Sequence, residues 1–115
     1  MGVLSFLGEV VKDYFESNRP QIWKDVNELE EMLDKEINGG YGEFKEDTRD
    51  MYVRYIEKYA RRIPSEGWNS DDRRRLGSWL SRSVRKLDSL CKNASLEFDS
   101  NDLLVEIQRL SDDDN

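Results

Sequence analysis

The chain has 115 residues, a net charge of −7 and 37% apolar side chains, which suits one domain with a modest core. Leu, Ile, Val and Phe make up 28 residues, about 24%, above the ~20% below which a charged chain stays disordered. One cysteine and no histidine exclude an internal disulfide framework, a multi-cysteine zinc site and all imidazole chemistry.

Apolar residues recur at helical spacing in every long segment, and on a wheel of ~100° per residue they gather into stripes. Over 3–17 the stripe is Val3, Leu7, Val10, Val11, Tyr14 and Phe15, with Ser5, Glu9, Lys12 and Glu16 opposite. Pro20 suits the first turn of a second helix over 20–37, because its missing N–H has no helical partner there. Ile22, Val26, Leu29, Leu33 and Ile37 form that helix's stripe. Asn38-Gly39-Gly40-Tyr41-Gly42 ends it, with glycine free to take the left-handed C-cap conformation.

A third helix is expected over 47–62, capped by Asp47 or Thr48. Met51, Tyr52, Tyr55, Ile56, Tyr59 and Ile63 share its face, and Pro64 disfavours helical geometry at Ile63. The fourth, over 70–92, opens with Asp71 and Asp72 complementing the helix dipole. Leu76, Leu80, Val84, Leu87 and Cys91 form its stripe, widened by Trp79 and Leu90. A fifth, over 101–110, is capped by Ser100 or Asn101 and turns Leu103, Leu104, Ile107 and Leu110 inward. Residues 111–115 read as an acidic, frayed tail. No segment alternates as a strand does. The expectation is an all-α bundle of four or five helices forming a single domain over 1–110.

The charge is unevenly laid out. Residues 1–50 hold 6 basic and 13 acidic side chains, 51–92 hold 11 and 5, and 93–115 hold 1 and 7. On the wheel for 70–92, Arg74, Arg75, Arg82, Arg85, Lys86 and Lys92 fall in an arc opposite the leucine stripe. Ser78, Ser81 and Ser89 lie between them, short enough for another backbone or a phosphate to approach. Over 47–62, Arg54, Lys58, Arg61 and Arg62 fall opposite the tyrosine stripe. Two such helices side by side make one continuous positive surface, suited to bidentate recognition of carboxylate or phosphate. The competing reading is internal neutralisation by the C-terminal tail and by Asp25, Glu28, Glu30, Glu31, Asp34 and Glu36 on the second helix, each exposed pair worth under ~1 kcal/mol.

Other motifs carry less. Gly39-Gly40-Tyr41-Gly42 lacks the Gly-Lys-Ser/Thr ending of a phosphate loop and is followed by acids. Glu43, Glu46, Asp47 and Asp50 lack EF-hand spacing, so no metal or cofactor is expected. Cys91 sits on a core stripe, where a thiol behaves as a small hydrophobe. Trp68 reads as an exposed loop anchor. No stretch approaches the ~18 apolar residues of a membrane span. Phe6 stands where a myristoylation signal needs Ser or Thr, and a cytoplasmic protein without membrane contact is expected. The broad apolar arc over 3–17 carries Glu9, Asp13 and Glu16, which suits a core helix or a homo-oligomer interface better than lipid.

These features point to a small non-enzymatic protein–protein interaction module: an adaptor, accessory subunit or inhibitor. Its partner would present an acidic surface to Arg74, Arg75, Arg82, Arg85 and Lys86. The alternative is a nucleic-acid-binding or nucleoprotein-associated protein using the same stripe with Arg54, Lys58, Arg61 and Arg62. The net charge of −7 weighs against that alternative.

Overall fold

A computed structural model describes residues 21–39, 44–64 and 69–112. They form four helices and no strand: α1 (Gln21–Asn38), α2 (Glu46–Arg62), α3 (Ser70–Asn93) and α4 (Ser100–Asp112). The fold is all-α, as the periodicity requires. The expected helix over 3–17, its oligomer interface, Trp68 and residues 113–115 lie outside the described residues.

α3 is the central helix and packs against the other three. Leu76, Leu80, Val84, Leu87 and Leu90 are all fully buried, with Cys91 beside them. α1 contributes Ile22, Val26, Leu29 and Leu33, α2 contributes Tyr52, Ile56 and Ala60, and α4 contributes Ile107 and Leu110. Each large side chain in this set stabilises the fold by roughly 1.5–3 kcal/mol through burial. Phe44, ahead of α2, stacks on Tyr52 with ring centroids 6.2 Å apart. Burial, with a small contribution from Glu36, pushes the Tyr52 phenol up to about 12. Burial likewise pushes the Cys91 thiol up to about 11, so that group is a core hydrophobe, as its stripe position implies.

The helix ends show where tertiary structure overrides local preference. α2 starts at Glu46, one residue ahead of the expected start, with Lys45 rather than Asp47 or Thr48 in the cap position and no side-chain cap. Glu46 and Asp47 in the first turn supply the dipole complement instead. Ile63 keeps helical dihedrals (φ −54°, ψ −54°) despite preceding Pro64. Its side chain is fully buried, and that burial outweighs the steric preference. The helix stops because Pro64 has no N–H to offer the Ala60 carbonyl, which accepts from Ile63 N–H at 3.1 Å instead. Gly39 closes α1 by donating to the Lys35 carbonyl at 2.9 Å and is not itself left-handed; Gly40 and Gly42 of the expected stop lie outside the described residues.

α3 is capped by Asn69, whose Oδ1 accepts from Asp72 N–H at 2.8 Å. Its C-terminus is a Schellman motif. Leu96 N–H donates to the Cys91 carbonyl at 2.8 Å and Ser95 N–H to the Lys92 carbonyl at 3.3 Å. Ser95 takes the left-handed position at φ 59°. Asp99, rather than Ser100 or Asn101, caps α4, its Oδ1 accepting from Asp102 N–H at 3.2 Å. The boundary expected at residue 110 is also corrected: α4 runs to Asp112, and Ser111 is buried with its hydroxyl donating to the Ile107 carbonyl at 2.6 Å. Ser111 fits because it faces Gly77, where α3 offers no side chain.

Candidate functional site

The order of the helices round the core decides what the basic residues can do together. α1 meets α2 along Asp25, Leu29, Met32, Tyr55 and Tyr59. α2 meets α4 along Ala60, Leu103, Ile107 and Leu110. α4 meets α3 at Gly77 and Ser111, and α3 meets α1 through Trp79, Trp23, Arg82 and Glu30. α1 and α4 therefore occupy the two flanks, while α2 and α3 face each other across the core. Their outer faces point away from each other. The expected continuous positive surface does not form: Arg54, Lys58, Arg61 and Arg62 on α2 are separated from Arg74, Arg75, Arg82, Arg85 and Lys86 on α3.

The α3 group is a ridge braced by α1. Arg82 donates to both oxygens of Glu30, from Nε at 3.1 Å and from a terminal nitrogen at 2.9 Å. Lys86 shares that carboxylate at 2.9 Å and reaches Asp34 at 2.6 Å. The Glu30 side chain is only 14% exposed while Arg82 remains 49% exposed. Burial opposes the Glu30 charge, yet the hydrogen bonds and positive charge of Arg82 and Lys86 hold its carboxyl below the usual value. The Arg82 guanidinium also lies over the Trp79 ring, 5.7 Å from its centroid. Trp79 is itself set edge-on to Trp23, with centroids 5.0 Å apart. Arg82 is thus fixed by a bidentate carboxylate on one side and an aromatic face on the other.

The remaining site residues divide into paired and open. Arg74 binds Asp71 one turn back at 2.6 Å. Arg61 lies 3.9 Å from Glu57, and Arg62 binds Asp25 of α1 at 2.9 Å. Arg54, Lys58, Arg75 and Arg85 are exposed, and no carboxylate among the described residues pairs with them. Arg85 and Arg74 border a groove of about 280 Å³ between α3 and α4, with Ser78, Ser81, Gln108 and Asp112 along it.

The ridge was legible as a stripe, and so was its partial neutralisation by α1 carboxylates. Sequence reasoning missed the Trp79 support beneath Arg82, whose only trace is the i, i+3 spacing of an aromatic and an arginine. It also missed the pairing of Gly77 with Ser111. No three Asp, Glu or Cys side chains among the described residues converge as a metal-binding group. Among those residues no helix is long and apolar enough to cross a membrane. Comparison with protein-family models, curated proteins and solved structures found no match to this chain.

Proposed function

We propose that this chain is a non-enzymatic protein–protein interaction module that presents the α3 ridge to an acidic surface on a partner. It works in the cytoplasm, without a metal or cofactor. The observation that supports this reading is the state of Arg82. Its guanidinium is held by Glu30 and Trp79 yet half of the side chain faces solvent. An arginine ordered before contact loses less rotamer entropy on binding, about 0.5–1.5 kcal/mol for a side chain of this kind. Arg and Trp are also the residue types that dominate interface energetics. Arg75 and Arg85 flank it with open charge, which steers an acidic partner and sets its approach.

Nucleic acid is the lesser reading on this geometry. A polyanion needs a continuous positive track, and the basic groups of α2 and α3 face apart.

The test is capture of partners by the wild-type chain and by the Arg75→Glu, Arg85→Glu double variant, in nuclease-treated extract. Neither side chain holds an ion pair among the described residues, so the variant keeps its helical circular dichroism. A partner of defined stoichiometry that is retained by wild type and lost by the variant supports the proposal. Partners that bind both alike, or material that disappears with nuclease, overturn it.

A further inference from the structure

On the flank between α1 and α2, remote from the α3 ridge, the two helices enclose a cleft of about 210 Å³. α1 supplies one wall at i, i+3, i+4 and i+7: Asp25, Glu28, Leu29 and Met32. α2 supplies the other from two tyrosines one turn apart. Tyr55 and Tyr59 stack with ring centroids 6.0 Å apart and planes 29° from parallel. Tyr55 is 38% exposed, whereas Tyr52 on the same helix is core.

The lining has a consistent chemistry. Every ionised group on it is a carboxylate. Asp25 is already paired, accepting from Arg62 at 2.9 Å and from Gln21 at 3.0 Å, which leaves Glu28 as the open carboxylate of the lining. Glu28 is exposed and has no ion pair among the described residues. The tyrosine faces attract cations through the ring quadrupole. Leu29 and the pliant Met32 side chain form an apolar floor along which an alkyl stem can lie. Burial is the main cause that pushes the Tyr59 phenol up, with Asp25, Tyr55 and Glu28 adding to it and Arg62 opposing it. The volume falls short of the ~300 Å³ at which pockets for drug-sized ligands begin, so a single side chain is the natural occupant.

We propose that the cleft between α1 and α2 binds an organic cation: an ammonium or guanidinium head, set between Glu28 and the Tyr55–Tyr59 stack, on an alkyl stem lying over Leu29 and Met32. The site does not depend on the α3 ridge, which recognises the opposite charge on another face.

The Met32 methyl group is a direct reporter. With ¹³C-methyl methionine, the chain is titrated with N-acetyl-arginine amide, N-acetyl-lysine amide and tetramethylammonium, with N-acetyl-glutamine amide as the neutral control. The expected result is a saturable shift of Met32 with the cations and none with the glutamine derivative. Tyr55→Leu and Glu28→Gln, both at exposed positions, each weaken binding about two- to five-fold, the equivalent of ~0.5–1 kcal/mol for an exposed cation–π or charge contact. A basic peptide separates the sources: binding at least about ten-fold tighter than the amides, or ~1.4 kcal/mol, assigns the cation to a polypeptide, and equal binding assigns it to free amines. No saturable shift, an equal response to the glutamine control, or cation binding unchanged in both variants overturns the proposal. Such a failure leaves the ridge reading intact, because that test turns on Arg75 and Arg85.

Discussion

Gly77 of α3 and Ser111 of α4 share a single contact point. A Cβ built on Gly77 would lie 2.8 Å from the Ser111 Cβ and closer still to its hydroxyl. The two helices meet here backbone to side chain, and Ser111 settles into the gap with its hydroxyl bound to the Ile107 carbonyl. Alanine at 77 gains up to ~1 kcal/mol in helix propensity but overpacks the joint by roughly 1–3 kcal/mol. The net expectation is destabilisation of about 1–2 kcal/mol, read by urea denaturation. In a Ser111→Gly background the penalty of Gly77→Ala shrinks. An equal penalty in both backgrounds would sink the contact as its cause.

Glu30 ties α1 to α3. Its two cationic partners are partly solvated, so Glu30→Gln costs about 1 kcal/mol rather than the ~3–5 of a broken fully buried pair. The pH dependence follows from the lowered carboxyl. A carboxylate that releases its proton more readily when folded contributes stability above its unfolded value, ordinarily near 4.5. It loses that contribution as pH falls through its lower folded value. The stability gap between wild type and Glu30→Gln is therefore constant at neutral pH and closes on acidification below about 4.5. Denaturation midpoints across an acid series check this, and a gap that widens with acid contradicts it.

Ser95 stands in the left-handed position of the Schellman motif after α3. For a residue with a Cβ that conformation costs roughly 1–2 kcal/mol, whereas glycine adopts it freely. Glycine also loses more entropy on folding, so Ser95→Gly stabilises by about 0.5–1 kcal/mol net. A thermal melt should show the midpoint rising.

Ser83 is fully buried on α3, and its hydroxyl has no hydrogen-bond partner among the described residues. A buried unsatisfied hydroxyl costs about 1–3 kcal/mol in desolvation. Ser83→Ala removes that group, keeps the Cβ and improves helix propensity. The variant is expected to be more stable by up to about 1 kcal/mol, measured by the urea midpoint at unchanged m-value.

The four described helices were legible because each carries an apolar stripe at a period near 3.6 and most are bounded by Asn, Asp, Gly or Pro. The end of α2 at Arg62 falls where the pattern puts it, but in the geometry of Ile63 and at the end of α4 a local rule met a tertiary one. Ile63 stays helical because its side chain is anchored in the core. Ser111 stays ordered because Gly77 makes room for it. The candidate site was legible to the same depth: the arc of Arg74, Arg75, Arg82 and Arg85 is a property of one helix, and one helix can be drawn from its own residues. Tyr55 misled for the same reason, since its spacing from Tyr52 and Ile56 is equally compatible with core and rim.

The sequence alone thus determined an all-α fold, the four described helices, their inward faces and a basic stripe on α3, because these depend on interactions within a few residues. Only the tertiary structure decided that the outer faces of α2 and α3 point away from each other, so that their basic residues form two surfaces rather than one. It also decided that Glu30, 52 residues from Arg82 along the chain, clamps that guanidinium while Arg75 and Arg85 stay open. Charge pairing and clefts between helices depend on which faces meet, and that is settled by the shared burial of side chains far apart in the chain.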